Sequence, residues 1–282
     1  MKPRNAPNVA VVSDLHTGCQ FALLAPGATL DGGAAVPLNA IQRKLWAMWR
    51  DYWQFVRETC KGEAVSVVVN GDALEGRHHN AITQWTQNLS DQRRAAYRLL
   101  MPVAEYARST GGAFYLLRGT EAHDGRSAED VEGLARELGA VRDETGNHAR
   151  NELWLRVGRS AAPVHFLHHV GTTGSAAYEA TAVGKELVEA FVEAARWAET
   201  APAGVVRSHR HRCIQIKMPS AVGNSFSVTT PGWQSKTPLA WRIPGARQAP
   251  AQFGGILIRD GGATEGLYVR THTYTMRRGR SA

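Results

Sequence analysis

Cysteine is scarce in this chain of 282 residues: Cys19, Cys60 and Cys213 are the three present, and none forms a Cys-x-x-Cys pair. An odd count without that spacing argues for reduced thiols in a cytoplasm and against a sulfur-based zinc site. No apolar run approaches the roughly 18–20 residues that a bilayer-spanning helix needs, so no membrane role is expected. Met1 to Asn5 lead straight into the first strand without an apolar signal region, and a cytoplasmic protein is the expectation. Repeats and low-complexity linkers are missing too, which favours one domain over residues 1–282. The stretch Gly171-Thr172-Thr173-Gly174-Ser175 lacks the Gly-Lys-Ser/Thr ending of a P-loop, so nucleotide binding of that kind is not expected. Its place before a helix still leaves it as a candidate source of backbone N–H groups for an anion.

What is present describes an ordinary globular protein, with 43% hydrophobic and 21% charged residues. The formal net charge is +8. A basic balance helps a protein meet phosphates or nucleic acid, and it also serves plain solubility.

The pattern is built on short apolar runs that end in polar clusters. Val9 to Val12 reads as a fully buried strand, and Asp14 and His16 follow it two residues apart. Period-2 geometry puts the two on one side wherever the chain is still extended. Ile41, Leu45, Met48, Tyr52 and Val56 mark one face of a helix, with Trp46, Trp49 and Trp53 beside them as packing residues. The second strand, Val65 to Val69, leads to Gly71-Asp72 and Glu75. A helix over 91–107 is expected, kinked or split at Pro102. The third strand, Ala113 to Leu117, runs into Arg118-Gly119-Thr120-Glu121-Ala122-His123-Asp124, after which Ser127 is placed as a helix cap. A strand pair over 152–157 and 164–167 ends at His168-His169. A long helix over 175–199 follows, and then Gly204 to Val206 leads into Arg207-Ser208-His209-Arg210-His211. Strands in succession over 213–218, 225–229, 255–258 and 267–271 complete the chain. Alternating strands and helices followed by strands alone predict an α/β fold, two mixed sheets packed as a sandwich. Ligand sites in such folds collect beyond the carboxyl ends of strands, where all five polar clusters fall.

Aspartate, glutamate and histidine without sulfur make a ligand set suited to manganese, iron or zinc, with enough groups for two ions. Two metals about 3.5–4 Å apart are a recurrent device for hydrolysing phosphate esters. His78, His79 and Arg118 are candidates to contact the phosphate. Trp233 and Trp241 could roof such a site or pack in the core.

With these motifs in order, Asp14-x-His16, Gly71-Asp72-x-x-Glu75, a Gly-led segment holding His123, then His168 and His209-x-His211, the chain resembles the calcineurin-like metallophosphoesterases, phage and prophage members above all. The resemblance spans residues 9–211. It implies two mixed sheets flanked by helices and two divalent ions, manganese first, with zinc or iron as alternatives. Asp14, His16 and His211 would hold one ion, His168 (or His169) and His209 the other, and Asp72 would bridge. His123 would match the catalytic histidine that contacts the phosphate and assists the leaving group. The family's Gly-Asn-His segment is altered here, and Glu121 is taken as the substitute for its asparagine ligand, with Thr120 or a water as alternatives. Glu75 stands where the family has aspartate and is read as supporting the ligands, and Ser208 replaces the usual glycine before His209, tolerable where the backbone is extended. The expected substrate is a phosphodiester of nucleotides, DNA or RNA. A rival reading is a nucleic-acid-binding module whose metal site is structural or degenerate.

Overall fold

The computed structural model describes residues 5, 7–78, 81–171, 176–220, 223–242, 249–262 and 266–276. His79, residues 172–175 and the Arg-rich end from 277 onwards lie outside the described residues.

The elements follow the sequence pattern closely. Strand β1 is Asn8–Val12, and helix α1, Ala40–Cys60, starts at a capping box in which Asn39 and Gln42 exchange hydrogen bonds. Strand β2 (Val65–Asn70) leads to α2 (Leu89–Ser109), and β3 (Phe114–Leu117) to the short α3 (Glu121–Asp124) and to α4 (Glu129–Glu137). Next come β4 (Ala149–Arg150), β5 (Glu152–Val157), β6 (Ala162–Leu167) and α5 (Glu179–Arg196). The chain closes with β7 (Gly204–Arg207), β8 (Ile214–Ser220), β9 (Gly223–Thr229), β10 (Gln252–Asp260) and β11 (Leu267–Thr275).

Two mixed sheets result, ordered β11-β10-β1-β2-β3-β4 and β5-β6-β7-β9-β8. In the first, β1 to β4 run parallel, while β10 lies antiparallel to β1 and β11 antiparallel to β10. The uninterrupted apolar character of β1 has a direct cause. Ala10 and Val12 point into a core shared with α1, α2 and α4, whereas Val9 and Val11 point the other way, into a core shared with the second sheet. A strand covered on both faces has no position left for a polar side chain. Phe166, Val206, Phe226 and Val228 meet the first sheet from across that second core. Helix α5 covers the outer face of β7, β8 and β9, so the architecture is a sheet sandwich with helices on both outer faces. Among the described residues no helix is long and apolar enough to cross a membrane.

Three local expectations need correction. Helix α2 is not split at Pro102 but runs through it as one element. Pro102 is exposed, so the carbonyl that loses its partner four residues back faces the solvent side, where water can satisfy it. Ser127 does not cap α4: the preceding residue is Ala128 in a left-handed conformation, with no side-chain cap bond. The alternation argument for Asp14 and His16 also fails, because β1 ends at Val12 and both residues have positive φ, 52° and 45°. Their convergence comes from left-handed backbone beyond the strand, held by N–H bonds from Asp14 and His16 to the Gly71 and Asp72 carbonyls.

Trp49 and Trp53 are buried, and Trp233 is fully buried against Trp49 with ring centroids 5.0 Å apart. Trp233 is therefore core, while Trp241 is exposed.

Candidate metal centre

The strand ends β1, β2, β6 and β7 meet at one edge of the sandwich and bring three groups of potential ligands together. They are Asp14/His16/His211, Asp72/His168/His209 and His16/Glu75/His123, and within each group the ligand atoms lie within 4.8 Å of one another. Asp14, His16, Asp72, Glu75 and His168 are buried, His211 and His123 are half-buried, and His209 is exposed.

Backbone conformation is part of how the edge is built. Asp14, His16, Asp72, His209 and His211 all have φ between 45° and 71°. Left-handed residues other than glycine are uncommon and cost energy, and they gather where geometry serves function. Glycine supplies the remaining clearance. A Cβ on Gly119 would lie 1.9 Å from Asp72 Oδ1, and one on Gly71, whose φ is +89°, would lie 2.3 Å from His168 Nδ1.

Each side chain is held by specific partners. His168 Nδ1 donates to the Asn70 carbonyl at 2.8 Å, which turns Nε2 toward Asp72 Oδ2, 3.1 Å away. His123 Nδ1 donates to the Glu75 carbonyl at 2.7 Å, leaving Nε2 4.0 Å from Asp72 Oδ2. The other Asp72 oxygen accepts from Thr120, from its N–H at 2.8 Å and its hydroxyl at 3.3 Å. His16 places Nε2 3.1 Å from His211 Nε2 and Nδ1 3.2 Å from Glu75 Oε2. Glu75 reaches further, to His78 and Gln234, both at 3.1 Å.

A buried hydroxyl chain fixes Asp14. Asn70 Nδ2 lies 2.6 Å from Ser208 Oγ, Ser208 Oγ 2.7 Å from Thr230, Thr230 2.6 Å from Ser13, and Ser13 Oγ 2.5 Å from Asp14 Oδ2. An amide NH₂ at one end can only donate and a carboxylate at the other can only accept. Every hydroxyl therefore donates toward Asp14, and the chain terminates on Oδ2. Asp14 Oδ1, His168 Nε2 and His16 Nδ1 are buried and make no well-formed hydrogen bond, but each faces an ionisable partner: His211 Nε2 at 3.3 Å, Asp72 Oδ2 at 3.1 Å and Glu75 Oε2 at 3.2 Å. Buried polar atoms in poor hydrogen-bond geometry cost free energy, and divalent cations seated in the first two groups would satisfy Asp14 Oδ1 in one and His168 Nε2 in the other. The donor set, carboxylate oxygen and imidazole nitrogen with no thiolate, fits such an ion.

The charges agree. Burial opposes ionisation of Asp14, yet His211 and His168 bring its pKa down to about 2. Asp72 sits well below the usual range despite burial, chiefly through His168, and Glu75 falls to about 2 through His16 and His78 against the same penalty. Burial disfavours a charged His168, but Asp72 outweighs it and raises the pKa to about 9. His16 is raised likewise against burial, by Glu75 and Asp72. His123 goes the other way, to about 4, because burial is reinforced by the charge of His16. Burial and then Asp72 push Asp124 up to about 7.

A prediction follows from His168. Its folded pKa lies above the unfolded value of 6.5. Its stabilisation of metal-free protein is thus complete below about pH 6.5 and lost as pH rises through about 9. Chelated protein should lose thermal stability across that window. Metal uptake at neutral pH should release protons, readable by calorimetry in buffers of different ionisation enthalpy. Metal uptake that releases none would contradict the assignment.

The other sequence candidates fall as follows. Glu121 is exposed in the first turn of α3, and its carboxylate belongs to none of the three groups; the segment meets Asp72 through Thr120 instead. His169 is exposed, and its ring centroid lies 5.4 Å from that of His209. Arg118 is half-buried and tied to β4, its Nε donating to the Ala149 carbonyl at 3.1 Å. His79 lies outside the described residues. Sequence reasoning did not find Asn70, Ser13, Ser208 and Thr230 as a connected set, since lone hydroxyls at strand ends carry no spacing signal.

No family model matches the chain, and no curated protein does. Solved structures that resemble it include a conserved uncharacterised protein, a predicted phosphoesterase, from Streptococcus pneumoniae TIGR4 (8% identity, TM-score 0.34, covering 95% of this chain and 99% of that one). Another is the sulfate thiohydrolase SoxB of Thermus thermophilus in complex with glycerol (14% identity, TM-score 0.36). There the match covers 96% of this chain and only 57% of that one. Likeness at these TM-scores says nothing about what the site does.

Proposed function

We propose that this chain is a two-metal phosphoesterase acting on phosphodiesters, of nucleotides or nucleic acid. The observation that carries the reading is the convergence of three groups of carboxylate and imidazole ligands at one sheet edge, with Asp14, His16, Asp72 and His168 buried and Asp72 Oδ2 within 4.0 Å of His168, His16 and His123. Asp14, His16 and His211 would hold one divalent ion, and His168 and His209 the other. Asp72 faces both groups, its Oδ2 3.1 Å from His168 Nε2 and 3.9 Å from His16 Nε2. Such ions polarise phosphoryl oxygens and lower the pKa of water toward neutrality; manganese suits the oxygen and nitrogen donors well.

The chain's own residues supply the rest. His123 is neutral near pH 7, and its Nδ1–H is committed to the Glu75 carbonyl. Nε2 is then a lone pair aimed into the cluster, able to take a proton there and return it to the leaving oxygen. Glu75 holds His16 and His78 in place, and the hydroxyl chain keeps Oδ2 of Asp14 occupied so that Oδ1 faces inward.

The test is direct. Chelation should abolish hydrolysis of bis-p-nitrophenyl phosphate, and Mn²⁺ should restore it. Chelated protein that still turns the diester over at the full rate would refute metal dependence.

A further inference from the structure

The buried ligands can be reached from one side. Asp14, His16, Asp72 and His168 are at most 2% exposed, whereas His209 is exposed and His211 is half-buried. A cleft of about 220 Å³ starts at those two histidines. Its lining combines the cations Arg210, Arg212 and Lys236 and a few polar side chains with apolar surface from Leu239, Ala240 and the stretch from Ala249 to Ala251. Among the described residues no carboxylate lines it. Arg212 is anchored by Glu179 at 2.8 Å, and Lys236 Nζ stands 4.2 Å over the Trp241 ring. Arg212 and Lys236 are thus held at the cleft by contacts of their own.

We infer that this cleft binds the organic group of a small phosphate ester, a single ring or a nucleoside-sized moiety, whose phosphate lies at His209 and His211. The inference rests on the phosphoesterase reading and narrows its substrate. An inorganic or purely ionic phosphate would leave the apolar part of the lining unused, and burying apolar surface there is favourable. The volume is below the roughly 300–1,000 Å³ of pockets that enclose drug-sized ligands. That is room for a single ring. The cations suit the negative charge of the ester, and the absence of carboxylates removes repulsion.

Calorimetry on the manganese-loaded protein with two non-hydrolysable probes, phenylphosphonate and methylphosphonate, tests this. The ring should bind about tenfold tighter, the gain from desolvating part of its surface. Leu239→Asp should bring that ratio close to one. Leu239 is 51% exposed, so the substitution leaves the core intact. Equal affinity of the two probes for the wild-type protein overturns the cleft assignment while leaving the phosphoesterase reading in place. A large ratio that Leu239→Asp does not change overturns it too, because the ring then sits elsewhere. A single-stranded oligonucleotide that binds tighter than phenylphosphonate and ignores Leu239→Asp assigns the site to polymer phosphates and also overturns it. Failure of both probes to bind while manganese remains bound overturns the cleft assignment, and turnover of bis-p-nitrophenyl phosphate by the same protein then shows whether the phosphoesterase reading falls with it.

Discussion

Asp72→Ala is expected to abolish turnover and to lower the affinity for both ions. No other carboxylate oxygen in the cluster approaches so many imidazoles: Oδ2 lies 3.1 Å from His168, 3.9 Å from His16 and 4.0 Å from His123. Its partner oxygen is fixed by Thr120, so the carboxylate has a set orientation before any ion arrives. Changing groups that merely orient ligands costs about 10–100-fold in affinity or activity, and removal of a shared ligand should exceed that range. Asp72→Asn separates charge from shape. It keeps an oxygen for Thr120 but gives up the negative charge that raises His16 and His168, and it should be nearly as damaging. Metal analysis with turnover of bis-p-nitrophenyl phosphate reads both effects. An Asp72→Ala protein that keeps two ions and full turnover would remove Asp72 from the centre of the site.

The fold was legible in the sequence where burial on two faces leaves a signature. Val9 to Val12 and Val65 to Val69 read as strands because neither face can take a polar residue, and α1 read as a helix from its apolar stripe. Strand β4 escaped notice, since two residues, Ala149 and Arg150, carry no period. At the site, residue type and strand-end position singled out the clusters. Conformation was not legible: Asp14 and His16 converge through left-handed backbone, where the alternation rule has no force. Asp-x-His spacing is the same in a strand and in this left-handed segment. Glu121 shows the same limit from the other side. A carboxylate beside a motif looks like a ligand in sequence, but the start of α3 carries it outward and leaves the Thr120 N–H and hydroxyl facing Asp72. Ser208 stands where a glycine was expected, and its hydroxyl joins Asn70 to Thr230 in a chain that involves four separate strand ends. Such a chain is a property of tertiary contact and has no counterpart in local spacing.

His123→Ala and Glu121→Gln should separate cleanly on the basis of those positions. Both residues lie in α3, two apart. His123 faces the cluster, its ring centroid 4.3 Å from that of His16 and its Nε2 directed at Asp72. Its pKa of about 4, set by burial and by His16, keeps it neutral at neutral pH. With Nδ1 donating to Glu75, the free lone pair is the one that can exchange a proton with the reacting group. Loss of that exchange costs about 10²–10⁴-fold in turnover for a general acid or base, and His123→Ala should show a loss of this size with both ions retained. Glu121 is exposed and outside the ligand groups, and exposed substitutions of this kind change stability by about 0.5 kcal/mol or less. Glu121→Gln should therefore keep both its metal content and its turnover. A metal titration of the two variants beside the wild-type protein decides the matter. If His123→Ala loses an ion, then His123 acts as a ligand through the His16/Glu75/His123 group. If Glu121→Gln loses one, α3 must rearrange on metal binding so that its first carboxylate turns inward.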